Sequence, residues 1–501
     1  MDFVNREMEL DLLDDLYQRR GSQFLVLYGR RRIGKTRLLN HWLSSLEKRK
    51  GASDKQRSLY WMATQTSATN QLRSFSQALF QFLNPGARVE PTFRYASWEA
   101  ALDEVQRASA QERLVLALDE FTYVMQADPE VPSLIQKAWD HQFREHSNVF
   151  LILTGSLAGM IQRHVLDYQA PLYGRATGKI RLQPLPFGAL VELFPHYGTE
   201  QRVAVYSITG GVPAYLELFD DRLTVPENLK QRVVTPANIM LGDAVFLLHE
   251  QLDEPRNYMA IIEAIAAGYH ALSDVARMAG INRTNIVKYL SVLQELGYVE
   301  RQVPATVRRP ERSRKGRYVI VDPYLRFYYR FLAPNLGFIE RGMVDQAVSL
   351  MQDHLIDFIG THTFEELCRD WVAVQADRGL LPFLPERVGS HWSRRAQVDV
   401  VGVNWRTKDI LLGECKWGTS KVGQGVIRSL ASKTDEVRPD EKWTVHYVFF
   451  SRGGFTSAAR REAEKIAAGL VPLEQIEVDI QSWMKARSKL GHTPNAELDR
   501  F

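Results

Sequence analysis

The sequence predicts a multidomain α/β protein, and three observations carry that prediction. Near the N-terminus an apolar run, a glycine-containing turn and a breaker-free stretch follow one another as strand, loop and helix. A second apolar run ends in the paired carboxylates Asp119-Glu120. Far downstream, two short strands carry Asp399 and Glu414-Cys415-Lys416. At 501 residues the chain exceeds what one hydrophobic core supports, so about two to four domains are expected.

The first strand is Phe24-Leu25-Val26-Leu27-Tyr28, and the helix runs from Lys35 to Leu46. Between them Gly29-Arg30-Arg31-Arg32-Ile33-Gly34-Lys35-Thr36 matches the pattern G-x-x-x-x-G-K-[ST] at every fixed position. The glycines let backbone N–H groups close around phosphates, and the helix N-terminus adds its positive end. In such a loop Lys35 reaches the β- and γ-phosphates and Thr36 holds Mg²⁺. The expected ligand is a nucleoside triphosphate with Mg²⁺.

The strand Leu114-Val115-Leu116-Ala117-Leu118 leads into Asp119-Glu120. In P-loop enzymes the Asp completes the Mg²⁺ shell and the Glu polarises the attacking water. A third strand, Val149 to Leu153, ends in Thr154-Gly155-Ser156. Polar residues at that tip either sense the γ-phosphate or cap a helix.

The chain resembles the archaeal-type ATPase family, a branch of the AAA+/STAND P-loop ATPases. Phe3-Val4-Asn5-Arg6-Glu7 looks like the family's opening box, and the P-loop and Asp119-Glu120 follow in order. Leu172-Tyr173-Gly174-Arg175 looks like the segment whose arginine serves as a finger, and Gly210-Gly211-Val212-Pro213 like the element whose proline lies near adenine. The resemblance thus implies a finger role for Arg175, an adenine-side role for Pro213 and a homo-oligomer. A rigid guanidinium suits γ-phosphate oxygens, while a surface ion pair is the plainer reading of Arg175. The implied layout is an ATPase over 1–215, a helical lid over 216–250, a winged helix-turn-helix over 251–321, a PD-(D/E)xK nuclease-like domain over 322–475 and a helical tail over 476–501.

Composition bounds these readings. Apolar content of 45% and charged content of 24% are those of a globular protein, and no apolar run reaches membrane-spanning length. Two cysteines build neither a disulfide framework nor a zinc ribbon, and the N-terminus has no signal-peptide pattern, so a cytoplasmic location is expected and no membrane partner. A net charge of +4 does not by itself argue for nucleic acid, but its distribution does.

Arg308, Arg309, Arg312, Arg314, Lys315 and Arg317 cluster just after a helix-turn-helix pattern. A helix from about Arg256 to Ala267 precedes one from Asp274 to Met278 with Ser273 as its cap, and a third begins near Asn282. Ile286, Leu290 and Leu293 repeat as a core stripe, with Arg283, Thr284, Asn285 and Lys288 opposite, placed for a major groove. Tyr298 to Arg301 and Arg317 to Val321 pair as a wing whose basic loop meets phosphates. DNA is the expected partner; an interdomain spacer is the alternative. The aromatic run from Asp322 to Phe331 reads as core, with base stacking among its arginines as the alternative.

In the C-terminal region Val398-Asp399-Val400-Val401 and Leu411 to Trp417 read as strands, with Glu414 and Lys416 on one face and Cys415 on the other. An Asp followed by Glu-x-Lys on the next strand is the PD-(D/E)xK signature, although Gln397-Val398 replaces its proline. Asp399 and Glu414 would share Mg²⁺ or Mn²⁺, and Lys416 would orient water or steady the developing charge. That fold usually adds a helix acid. Phe364, Leu367, Cys368, Trp371 and Val372 form one helical face, which Glu365 borders and Glu366 does not. Thr444 to Phe450 is expected to close this sheet. The sequence thus points to an ATP-binding and hydrolysing protein acting on DNA, with a nucleotide-switched module controlling a metal-dependent nuclease. The alternative is a STAND-like ATP switch or DNA-binding regulator whose nuclease fold does not cut.

Overall fold

A computed structural model describes residues 3–49, 57–252 and 254–488. Two compact units divide between Pro184 and Leu185: one spans Asn5–Pro184, the other Leu185 onward together with the N-terminal residues up to Val4.

In the first unit four apolar runs and the short segment Gly178–Arg181 become strands of one parallel sheet. They are β1 (Gln23–Tyr28), β2 (Ser58–Met62), β3 (Leu114–Asp119), β4 (Val149–Gly155) and β5 (Gly178–Arg181), in the order β2-β3-β4-β1-β5. The three central strands are buried along their whole length, as expected for a parallel sheet covered on both faces. The C-terminal ends of β1, β3 and β4 therefore converge at one edge, where ligands of open α/β sheets bind. Trp42, Phe75, Phe121 and Phe143 fill the layers above and below.

The second unit holds two sheets. β6 (Val299–Gln302) and β7 (Arg317–Ile320) form the antiparallel wing after helices Arg256–Ala266, Leu272–Met278 and Ile286–Glu295. A larger sheet follows: β8 (Arg387–Trp392), β9 (Gln397–Asn404), β10 (Asp409–Lys416), β11 (Thr444–Ser451) and β12 (Gly469–Pro472), in the order β12-β11-β10-β9-β8. β8, β9 and β10 run antiparallel, whereas β10, β11 and β12 run parallel. Helix Glu365–Asp377 covers one face, and helices Gln424–Ser432 and Ser457–Lys465 cover the other.

One apolar core runs from Leu185 through the winged helix to Met484, so the wing and the C-terminal sheet are built onto a common interior. The aromatic run belongs to it: Tyr324, Phe327 and Phe331 are buried. Arg326, also buried, donates to Glu366 at 2.7 Å, which gives the helix acid that points away from the apolar face a structural task.

Several expectations are corrected. Ser273 is not a cap: the second helix starts at Leu272, two residues earlier than expected, after Ala271 and with no side-chain cap bond. The third helix begins at Ile286, because the Asn282 side chain accepts from the Asn285 N–H and holds a turn there. Arg283, Thr284 and Asn285 therefore sit on that turn, exposed, rather than on the helix. β11 is interior, with β12 beyond it. The last helix, Leu473–Ser488, is a core element rather than a tail: Ile476, Ile480 and Trp483 are buried, and Glu477 accepts from buried Arg202 at 2.6 Å. The remainder of the expected tail lies outside the described residues.

His362 illustrates what this packing does to a titratable group. It packs against Phe358 and faces Arg326, Glu366, His270 and Arg369; burial first, then Arg326, pushes its pKa down to about 4. The folded state thus favours neutral imidazole, while the unfolded chain takes up a proton near 6.5. Stability is expected to fall as pH drops from 6.5 toward 4, and His362→Gln should flatten that decline in denaturant midpoints.

Candidate functional site

The loop after β1 folds tightly. Gly34 has φ +97° and Arg32 φ +67°, and a Cβ on Gly29 would stand 2.5 Å from the Leu182 carbonyl oxygen, so only glycine fits there. Buried Arg6 braces the loop from behind, donating to the Gln183 carbonyl at 2.6 Å and the Ile33 carbonyl at 3.5 Å, with Glu9 at 3.0 Å. Lys35 is buried, and its Nζ donates to the Gly29 carbonyl at 3.0 Å and the Arg30 carbonyl at 3.3 Å. An ammonium folded into its own loop is poised for phosphate oxygens.

The carboxylate strand meets this loop. Thr36 Oγ1 donates to Asp119 Oδ2 at 2.7 Å, joining the P-loop to the end of β3. Tyr60 on β2 donates to the same oxygen at 2.5 Å, and Thr154 on β4 donates to Asp119 Oδ1. Burial and the Asp119 bond raise the Tyr60 phenol above its usual range, so it remains a donor. Glu120 adopts φ +52°, and its Oε2 accepts from the Ser156 N–H at 3.1 Å and Oγ at 2.5 Å. The tip of β4 is thus engaged with both acids, and the short helix that follows has no side-chain cap. The sequence shows Thr154 and Ser156 without their partners. It carries no pointer to Tyr60: the run Leu59 to Ala63 reads as a strand but does not show that its phenol meets Asp119.

A hydroxyl and a carboxylate 2.7 Å apart beside a buried ammonium form a donor set that fits Mg²⁺ and a polyphosphate. Arg175 is engaged elsewhere: it donates to Asp140 at 2.7 Å and to the Pro171 and Tyr173 carbonyls. Pro213 opens the short helix Pro213–Leu216 in the second unit.

That second unit brings the other acids together. The β9–β10 ladder ends at the pair Gly413 and Val400, and Glu414 and Asp399 are the next residues along each strand. Asp399 Oδ2 accepts the Cys415 N–H at 3.0 Å. Burial and the charge of Glu414 push the Asp399 carboxyl up, and burial with Asp399 pushes Glu365 up to about 8. Arg369, one turn on, donates to Glu365 at 3.4 Å and to the Asp399 carbonyl at 3.0 Å. Lys416 and Lys433 donate to separate oxygens of Glu414 at 2.7 and 3.4 Å. Burial lowers the Lys416 pKa, but its bond to Glu414 outweighs that and holds it high. Among the described residues no group of three His, Cys, Asp or Glu side chains is arranged around a metal position. A pair of carboxylates is what Mg²⁺ needs when water fills its remaining sites.

In the winged helix, Arg283, Lys288, Arg308, Arg309, Arg312, Arg314 and Lys315 are exposed. The wing loop is pinned to β8 by Ala305 N–H to the Ser390 carbonyl at 2.8 Å and Arg387 to the Val307 carbonyl at 2.7 Å.

Domain matches to known proteins fall along much of the chain. Residues 3–219 match an ATPase domain found predominantly in Archaea, and residues 257–303 match the IclR helix-turn-helix domain. Residues 328–426 match archaeal and bacterial proteins of unknown function. An uncharacterized protein of Methanocaldococcus jannaschii is 31% identical over 418 residues, covering 83% of this chain and 87% of the relative. An uncharacterized ATP-binding protein of the same organism is 43% identical over 43 residues, 9% of this chain and 73% of that one. Among solved structures, a Walker-type ATPase of Pyrococcus abyssi aligns with TM-score 0.49 and 18% identity, covering 66% of this chain and 96% of its own. The ORC2 protein of Aeropyrum pernix aligns with TM-score 0.41 and 13% identity over 69% of this chain and 94% of its own. Among the described residues no helix is long and apolar enough to cross a membrane.

Proposed function

The chain belongs to the archaeal-type ATPase family, and from that premise we propose that it hydrolyses ATP and acts on DNA through the winged helix and the acids of the C-terminal sheet. The 2.7 Å Thr36–Asp119 bond carries the nucleotide part, because it joins the P-loop to the acidic strand at the sheet edge. Lys35 holds the β- and γ-phosphates, Thr36 and Asp119 hold Mg²⁺, and Glu120 orients water once it leaves Ser156. Bound Mg²⁺ would neutralise charge on the phosphates. Arg175 must leave Asp140 to act as a finger in a homo-oligomer, and Pro213 is assigned to the adenine side by resemblance alone.

The DNA part rests on the exposed basic residues of the wing and of the turn before the third helix. Neutralising Arg308, Arg309, Arg312 and Arg314 together should flatten the dependence of log affinity on log salt, by roughly 0.9 for each phosphate they neutralise in the wild type. Fluorescence anisotropy of a labelled duplex across a salt series reads that slope. An unchanged slope would assign the winged helix to spacing the units.

For the C-terminal sheet we favour a nuclease centre. Asp399 and Glu414 sit side by side where their strands part, and Lys416 is next to them. Mg²⁺ or Mn²⁺ held by the two carboxylates would activate water and neutralise the phosphodiester. Asp399 and Glu414 bind and orient, Glu365 is a third acid behind Arg369, and Lys416 supplies a cation for the developing charge. The second reading, a STAND-like switch with a non-cutting fold, is favoured by one observation: Lys416 and Lys433 occupy both oxygens of Glu414.

A further inference from the structure

Beside the carboxylates lies a cleft of about 460 Å³, wholly inside the second unit, with one wall from the wing and another from the C-terminal sheet. From the wing come β7 and the end of the first helix; from the sheet come Ser390–Trp392 and Gln397–Asp399. We propose that this cleft takes a single strand of nucleic acid, one or two nucleotides deep, and leads its backbone to Asp399. The proposal deepens the nuclease reading and rests on it for what happens at Asp399, whereas strand binding itself does not require cleavage.

Size selects the ligand first. A volume of about 460 Å³ is that of a small-molecule pocket, whereas a B-form duplex, with a major groove alone about 12 Å wide, does not enter it. Chemistry selects next. The Arg317 guanidinium lies 4.7 Å from the Trp392 ring centroid, forming a flat cationic platform shared by wing and sheet. Such a surface stacks bases without regard to sequence. Arg330 also lines the cleft and is exposed. His391 is buried with Nδ1 bonded to Thr306 at 2.8 Å, and its Nε2 has no protein partner. A buried polar atom left unbonded in a cleft is a place for a ligand group. Arg326 and Arg369 pair with Glu366 and Glu365, whereas Arg317 and Arg330 line the cleft and are exposed, so these two are the cations offered to phosphate. A strand stacked on that platform would run toward Asp399, which lines the same cleft, so that one phosphate is held and the next presented.

The test is equilibrium binding of full-length protein in EDTA, where no metal-dependent cleavage occurs. Fluorescence anisotropy would compare a labelled ten-nucleotide DNA strand, an RNA strand of the same sequence and a blunt DNA hairpin. Trp392→Ala and Arg330→Ala should each weaken single-strand binding by about tenfold or more, with Trp392→Phe restoring most of it and hairpin binding unchanged. Thermal unfolding followed by circular dichroism checks that each variant is folded, and Arg317→Ala, read on single-strand affinity alone because it also belongs to the basic wing, is the second probe should Trp392→Ala fail that check. Equal strand affinity in wild type, Arg330→Ala and the folded platform variant overturns the proposal, as does full competition by AMP, which would make the cleft a mononucleotide site. The two readings fail separately. A protein that binds strands through Trp392 and Arg330 yet never cuts supports the cleft and sinks the nuclease. One that cuts, with unaltered binding in the variants, does the reverse.

Discussion

Lys35→Ala is expected to lose tight ATP binding, and Glu120→Gln to keep binding while losing turnover. Lys35 is the buried cation of the loop, held by the Gly29 and Arg30 carbonyls at 3.0 and 3.3 Å. Truncation removes its bonds to two phosphates. Charge-assisted bonds are worth about 1.5–3 kcal/mol each, so affinity should fall by at least about a hundredfold. Glu120 is different in kind. Its carboxylate is held by Ser156 at the tip of β4, clear of Lys35's own bonds, so the amide should leave binding nearly intact. A positioned general base contributes about 10²–10⁴ in rate, and phosphate release should drop by that factor. Calorimetric titration with ATP and a phosphate-release assay separate the two effects. Wild-type turnover in Glu120→Gln would move the water-orienting role to another residue.

Asp399→Ala, Glu414→Ala and Lys416→Ala are each expected to remove divalent-metal-dependent DNA cleavage while ATP hydrolysis continues. The acids and the P-loop belong to separate compact units, which is why the two activities should part. The carboxylate variants should also bind metal more weakly, because carboxylates ligate hard cations and an ammonium cannot. Lys416→Ala should therefore bind metal and still fail to cut, losing on the order of 10²–10³ in rate if it steadies transition-state charge. Glu365→Ala should be milder, since Arg369 already engages that carboxylate. Mn²⁺ titration and plasmid nicking on the same samples provide both readings.

How legible these sites are in the sequence depends on whether the chemistry is local. Gly29 to Thr36 is one contiguous loop, so motif and geometry coincide. Asp119 and Glu120 are located by the strand that ends in them. Tyr60, which donates to Asp119, is not, because it lies within an ordinary apolar run far off in sequence and only the strand pairing brings it to that carboxylate. In the C-terminal sheet, alternation along β10 puts Glu414 and Lys416 on one face, but the pairing that sets Glu414 beside Asp399 is a matter of register. The Arg369 and Lys433 bonds depend on tertiary packing and leave no sequence signal. Helix boundaries in the winged helix differ from the pattern where Asn282 bonds a local turn instead of capping the helix itself. The C-terminal helix reads as peripheral because amphipathic patterning cannot say how much of a face a neighbour will cover. Arg202 and Trp371, whose partners there are Glu477 and Asp479, lie 275 and 108 residues upstream of them.

The proposal that an ATPase and a metal-dependent nuclease act in one chain is tested by cleavage of circular and linear DNA by purified protein, with and without ATP and with Mg²⁺ or Mn²⁺ present or chelated. Cleavage that requires the metal, changes with ATP, and loses its ATP response in Lys35→Ala is the predicted result. Wild-type protein that hydrolyses ATP yet cuts neither single- nor double-stranded DNA nor RNA with any divalent metal would contradict the claim and leave the ATP switch as the better account.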